Sequence, residues 1–141
     1  MRLLVDTNVI LDVLLARSPL VGAAAAILDL VADKTLDGLV SATTVTTIHY
    51  VATKAVGRTQ ARRHLRTLLD LLEVAPVTRA VLADALELEF ADFEDAVLHE
   101  AARHAGALGI VTRDPKGFAR ARLKVYAPDE LVKFIRASGP G

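Results

Sequence analysis

Short apolar runs that each stop at a polar residue, with amphipathic helical stretches between them, restrict the fold of this chain more than any other feature. Leu3-Leu4-Val5 stops at Asp6, Leu39-Val40 at Ser41, and Val74 to Val77 at Thr78. Leu108 to Thr112 is bounded by Gly106 and Arg113-Asp114-Pro115, and Val125 marks a last short run. Runs this short, without polar alternation, read as strands buried on both faces. Strands alternating with helices imply βα units, so the expected fold is α/β: a three-layer α/β/α sandwich on a mostly parallel sheet.

The helices between the runs carry their own signals. Val9, Ile10, Val13 and Leu14 follow the first run at helical spacing. Ser18-Pro19 reads as an N-cap and first position, opening a helix with Val21, Ala25, Leu28 and Val31 on one stripe that stops near Asp37-Gly38. A threonine-rich segment leads into a helix through Ile48 and Val51, and Gly57 separates it from a basic helix over 59–72. Thr78 reads as a cap, Ala91-Asp92 as the start of a helix running to about His104, and Pro128 as the start of a last helix reaching Ile135.

With 141 residues, 52% of them hydrophobic and only 4% aromatic, the chain can bury one sizeable core. The expectation is one domain over 1–137 followed by a frayed end at 138–141. Disordered, collagen-like and disulfide-rich classes are excluded by the composition. With no cysteine, thiol catalysis and zinc–thiolate sites are excluded too. Charges interrupt every apolar stretch before membrane-spanning length, and residues 1–6 do not read as a secretory leader. A soluble, cytoplasmic protein is expected.

The formal net charge of zero hides a segregated pattern. Residues 51–72 carry five basic groups and one acid, residues 73–100 one basic group and eight acids, and residues 101–141 eight basic groups and three acids. A basic surface flanking an acidic site is compatible with a polyanionic partner, although mixed surface charge is the simpler reading of this pattern alone.

In parallel sheets ligands bind beyond the carboxyl ends of the strands. Asp6 and Asp114 stand there by sequence, and Asp92 and Asp95 stand at a helix start. Each has a plain structural reading. Asp6 and Asp92 read as helix caps, Asp114 as the first residue of an Asp-Pro turn, and Asp95 as a first-turn acid. Together they point to one crevice, with Asp92 and Asp95 three residues apart on a shared face and Glu94 directed elsewhere. Crowded carboxylates repel unless a cation lies between them, and oxygen-only ligands suit Mg²⁺ or Mn²⁺.

Val5-Asp6-Thr7-Asn8-Val9-Ile10, Phe93-Glu94-Asp95-Ala96 and Thr112-Arg113-Asp114-Pro115, in this order and spacing, resemble the PIN domain family, including the small VapC toxins of toxin–antitoxin pairs. The resemblance spans Leu3 to about Leu131. It implies a Mg²⁺- or Mn²⁺-dependent endoribonuclease in which Asp6, Asp95 and Asp114 are metal-site acids. Asn8 resembles the residue that orients the first acid, and Thr112 the hydroxyl before the last one. It also implies an RNA substrate, a homodimer and a cognate antitoxin protein. The apolar helical segments Leu11 to Leu15 and Leu20 to Val31 are candidate contact surfaces.

The chain departs from the family at one place. Where the family carries a glutamate in the helix after the second strand, Ser41-Ala42-Thr43-Thr44-Val45-Thr46-Thr47 places Thr47, and no carboxylate lies between Asp37 and Asp70. Asp92 is the expected substitute. The alternative is a weak or inactive PIN-fold protein that binds RNA or a partner without cutting.

Among the basic residues, Arg113, Lys116 and Arg120, with Arg122 and Lys124, cluster after the strand that delivers Asp114, and are the expected RNA contacts. Arg58, Arg62, Arg63 and Arg66 read more simply as a solvated helix face. His49 and Tyr50 are expected at packed helix positions, His99 either as a group reaching Asp95 one turn before it or, more simply, as a partly buried structural residue, and Asp12 as a supporting acid or a surface charge. Phosphate-loop and dinucleotide-binding glycine patterns are absent. Asp6-Thr7-Asn8 lacks the second aspartate of haloacid dehalogenase-type phosphotransferases, and Pro76-Val77-Thr78 lacks the acid of a phosphoreceiver.

Overall fold

Strands β1 (Arg2–Val5), β2 (Asp37–Ser41), β3 (Glu73–Ala75), β4 (Gly109–Val111) and β5 (Lys124–Tyr126) form one sheet in the order β3-β2-β1-β4-β5. Every pairing is parallel, in a computed structural model that describes residues 1–139. Helices α1 (Thr7–Leu14), α2 (Val21–Ala32), α3 (Ala42–Val56), α4 (Arg58–Leu71) and α7 (Pro128–Ala137) cover one face, and α5 (Arg79–Leu86) and α6 (Phe93–His104) cover the other.

Alternate strand residues divide between the two faces. Leu3, Val5, Val40 and Val111 enter the core under α1, α2 and α3, whereas Leu4, Leu39 and Ile110 enter the core under α6. All seven are buried, each contributing about 1.5–3 kcal/mol of apolar burial. Two covered faces are the reason β1, β2 and β4 carry unbroken apolar runs. The edge strands differ, since β3 covers Glu73–Ala75 rather than Val74 to Val77 and leaves Val74 42% exposed, and no residue of β5 is fully buried.

Several boundaries differ from expectation. Ser18 caps nothing: Ser18–Leu20 forms a turn, and the Val21 N–H donates to the Arg17 carbonyl as α2 begins. The buried stripe of α2 is Ala24, Ile27 and Val31, which keeps the expected Val31 but has Ala24 and Ile27 in place of Ala25 and Leu28. Nearly every residue of that helix is apolar, so its periodicity could not choose a face. Tyr50 is 61% exposed rather than packed, with the Lys54 ammonium 4.4 Å from its ring centre. Of the expected frayed end at 138–141, Ser138 still donates to the Phe134 carbonyl, and residues 140 and 141 lie outside the described residues. No helix among the described residues is long and apolar enough to cross a membrane.

The strand order sets the site. From β1 the chain moves outward through β2 to β3, then returns to the other side of β1 for β4 and β5. Such a reversal opens a crevice at the carboxyl ends of the two strands that flank it. Val5 and Val111 are the last pair between β1 and β4, so Asp6 and Thr112 emerge side by side, and the Asp6 N–H donates to the Val111 carbonyl at 2.9 Å.

Candidate metal centre

Asp6 is 6% exposed and leaves β1 in extended conformation as the N-cap of α1. One carboxylate oxygen accepts from the Thr7 N–H and the other from the Thr112 hydroxyl, both at 2.7 Å. Desolvation nevertheless lifts its pKa above the ordinary aspartate value, against the two hydrogen bonds and with the help of Asp114 and Glu94. Thr112 is a hub: its Oγ1 also accepts from the Asp114 N–H at 3.0 Å and from the Asn8 amide at 3.4 Å. Asn8 in turn accepts from the Arg113 N–H at 3.2 Å. Thr112 and Asn8 therefore tie the end of β1 to the loop that carries Asp114.

Asp6, Asn8, Thr47, Asp95 and Asp114 line one cleft of about 230 Å³, together with Thr7, Leu11, Arg17, Glu94, Leu98 and Phe118. Asp95, half-buried in the first turn of α6, has its pKa pushed up to about 6 by burial and then by Asp6, Asp92, Asp114 and Glu94. Among the described residues no lysine, arginine or histidine forms an ion pair with Asp6, Glu94, Asp95 or Asp114; the cleft's own arginine, Arg17, lies against Asp12.

Gly117 shows how closely the acids converge. A Cβ on this residue would lie 2.7 Å from an Asp95 carboxylate oxygen and 3.4 Å from one of Asp114. Any side chain there would fill the space between the two carboxylates. Unpaired oxygen donors around a space that only glycine leaves open fit a hard divalent cation.

Asp92 keeps its cap reading but does not reach the cleft as the expected substitute acid, and Glu94 stands differently from expectation. Asp92 caps α6, its Oδ1 accepting from the Glu94 N–H at 2.7 Å and the Asp95 N–H at 3.3 Å, and it lines no part of the cleft; its charge still reaches Asp95. Glu94, expected to point elsewhere, lines the cleft with Asp95 and Leu98. The buried Leu98 was the available signal: it stands one turn after Glu94, on its stripe. Thr47 does line the cleft, and its hydroxyl donates to the Thr43 carbonyl at 3.2 Å, a bond within its own helix.

The expected RNA contacts divide. Arg113 spends its Nε on Asp12, 2.8 Å away and 2% exposed, so Asp12 is a buried acid rather than a surface charge. Lys116 and Arg120 border a neighbouring recess with Phe90 and Gly117, where Arg120 pairs with Glu89 at 3.2 Å. Arg17, which no sequence pattern marked, lines the cleft itself. His99 does not reach Asp95. It is fully buried, its Nε2 accepting from the Arg122 and Leu123 N–H groups at 3.1 and 3.3 Å, which leaves Nδ1 to donate to Glu100 at 2.8 Å.

Only one group of three metal-type side chains among the described residues brings its ligand atoms within 4.8 Å of one another, and it lies elsewhere: Asp84, Glu100 and His104. Arg103 occupies its middle, 3.0 Å from both Asp84 and Glu100. That group is a closed ion-pair network, whereas among the described residues no three cleft acids bring ligand atoms within 4.8 Å of one another.

The family model described as the PIN domain matches residues 2–116. The chain is 26% identical to Ribonuclease VapC1 of Aquifex aeolicus over 137 residues, covering 94% of each protein. Among solved structures, VapBC2 of Rickettsia felis bound to a promoter DNA fragment aligns with a TM-score of 0.72 at 19% identity, over 90% of this chain and 98% of that one. VapC20 of Mycobacterium tuberculosis, described as a Sarcin-Ricin loop cleaving toxin, aligns with a TM-score of 0.66 at 20% identity, over 84% and 94%.

Proposed function

The chain belongs to the PIN domain family, and from that premise we propose that it is a divalent-metal-dependent endoribonuclease, the toxin of a VapBC-type pair. The observation that carries the reading is a cleft at the switch point whose four lining carboxylates have no cationic partner among the described residues. The similarity to Ribonuclease VapC1 supports the same activity.

In this reading Asp6, Asp95 and Asp114 hold Mg²⁺ or Mn²⁺, and Glu94 supplies the fourth carboxylate, which the family draws from the slot of Thr47. When bound, such an ion lowers the pKa of a water molecule and offsets charge on a phosphodiester. The chain's own residues prepare the place. Thr112 and Thr7 fix both oxygens of Asp6, Asn8 holds the Arg113 backbone, and Gly117 leaves the gap between Asp95 and Asp114 clear. Asp95, with its pKa at about 6, surrenders a proton when a cation binds, so metal affinity should rise with pH through that value.

The working form is proposed to be a cytoplasmic homodimer held inactive by its antitoxin, with Lys116 and Arg120 lining the path of the RNA strand. The structures of VapBC2 from Rickettsia felis and of a toxin–antitoxin complex from Klebsiella pneumoniae support the pairing by likeness of fold.

The decisive experiment compares RNA cleavage in Mg²⁺, Mn²⁺ and EDTA for the antitoxin-free protein and for Asp6→Asn and Asp95→Asn, with Mn²⁺ calorimetry on each. Cleavage and Mn²⁺ binding lost together in both variants establish the nuclease. Absence of both in the wild type refutes it and leaves a PIN-fold binding protein. The fourth acid is decided by Glu94→Gln and Asp92→Asn. Loss of Mn²⁺ affinity in the first, restored in Glu94→Gln/Thr47→Glu, assigns Glu94; loss only in the second assigns Asp92.

A further inference from the structure

We propose that Arg17 is the cation that receives a substrate phosphate in this cleft, and that Asp12 is the buried post that keeps it there; the proposal rests on the ribonuclease reading above. Arg17 is the only lysine or arginine among the residues lining the acidic cleft. A polyanionic strand entering beside four carboxylates needs positive charge at the same place, because uncompensated repulsion would exclude it.

The end of α1 is built around this side chain. Ala16 takes a left-handed conformation, with φ of +48°. Its N–H donates to the Val13 carbonyl at 3.1 Å, and the Arg17 N–H donates to the Asp12 carbonyl at 2.9 Å. This pair of bonds is the helix ending that ordinarily recruits glycine at the turning residue. It folds Arg17 back over the last turn and ties it to the backbone of Asp12.

The Asp12 side chain completes the arrangement. One carboxylate oxygen is taken by the Arg113 Nε at 2.8 Å. The other is buried without a hydrogen bond and faces the Arg17 guanidinium at 3.7 Å. A buried carboxylate oxygen without a hydrogen bond is costly, and a guanidinium at that separation is held by charge rather than by a hydrogen bond. Arg17 is therefore kept at the cleft while the N–H groups of its guanidinium remain free to fork onto a phosphate. Arg113, which also donates its backbone N–H to Asn8 at 3.2 Å, locks the post to the loop that delivers Asp114. Cation and acids thus share one frame.

The simpler role for Arg17 is as a counterion of Asp12, and the two roles separate by measurement. RNA affinity is titrated against salt in EDTA, where metal-dependent cleavage is silent, and kcat/KM is measured in Mn²⁺, for wild type, Arg17→Ala, Arg17→Gln and Arg17→Lys. Both neutral variants should lose about 0.7 from the slope of log affinity against log salt, the share of one phosphate contact on a single strand. They should lose about 100-fold in kcat/KM, the scale of one lost phosphate-stabilising donor, with Mn²⁺ affinity by calorimetry unchanged. Arg17→Lys should keep the slope and recover part of kcat/KM, since it restores the charge but not the fork. Asp12→Asn should raise KM more than it lowers kcat.

Unchanged slope and kcat/KM in the neutral variants, whatever happens to their melting temperature, would overturn the proposal and leave Arg17 a counterion. If wild type does not cut RNA, the ribonuclease reading falls on its own. The salt slope in EDTA then decides Arg17 by itself: a lost contact supports the proposal and an unchanged slope overturns it.

Discussion

The two ends of α6 each carry acids, and they treat them in opposite ways. At the C-terminal end Glu100, 3% exposed, accepts from Arg103 at 3.0–3.2 Å and from His99 at 2.8 Å, while Asp84 is shared by Arg103 and His104. Burial alone would raise the pKa of Glu100, but the bonds to Arg103 and His99 outweigh it and hold the carboxyl below its ordinary value. At the N-terminal end Glu94 and Asp95 face Asp6 and Asp114 without a cation, and Asp95 titrates at about 6. The same side-chain chemistry on one helix is thus a closed network at one end and an open one at the other. Acids satisfied by cations hold the fold; acids left without one are those the proposed function assigns to the metal.

The comparison can be broken first at the closed end. Arg103→Ala leaves Glu100 buried with only His99 beside it and should cost about 2–3 kcal/mol in urea unfolding, toward the low end for broken buried pairs because the arginine is half-exposed. Mn²⁺ affinity should not change. The sign at this end follows from the lowered pKa: the contribution of Glu100 is present above the unfolded-state value and is lost as pH falls through the folded one.

At the open end a ligand should do what partners do at the closed one. Saturation with Mn²⁺ at about 100 times Kd should stabilise the wild type by about 2.7 kcal/mol, read as a rise in melting temperature that is missing in Asp6→Asn and Asp95→Asn. A wild type indifferent to Mn²⁺ would break the comparison.

Without metal, the sign at this end reverses. The raised pKa of Asp95 means its contribution is present below the unfolded-state value of 3.8 and is lost as pH rises through about 6. Metal-free protein should therefore lose on the order of 1 kcal/mol over that window, after discounting for the solvent that screens a half-exposed group. Asp95→Asn should abolish the loss and stabilise the metal-free protein at neutral pH.

The smallest effect lies beside the open end. Ala16→Gly relieves a left-handed alanine and should stabilise by about 0.5–1 kcal/mol, with Mn²⁺ affinity unaltered, as a thermal melt would show.

Much of this was legible without coordinates, because it depends on local order along the chain. Leu3-Leu4-Val5 and Gly109 to Val111 announce strands covered on both faces, with Asp6 directly after the first and Asp114 three residues after the second, so their place beyond the sheet edge needed only the βα rule. Thr78 and Asp92 declared themselves as caps by type and position. The stripe of α2 was not legible, since an almost wholly apolar helix offers no contrast between faces.

Sequence by itself therefore determined the α/β class, the parallel sheet and the three aspartates at strand and helix ends, since each rests on periodicity and on what may follow a buried run. Tertiary structure alone decided which charges meet. It sent Arg103 to Asp84 and Arg113 to Asp12, across 19 and 101 positions respectively. It turned Glu94 and Arg17 into the cleft. Whether an acid is satisfied depends on distances that close only when remote segments pack, and no spacing along the chain contains them.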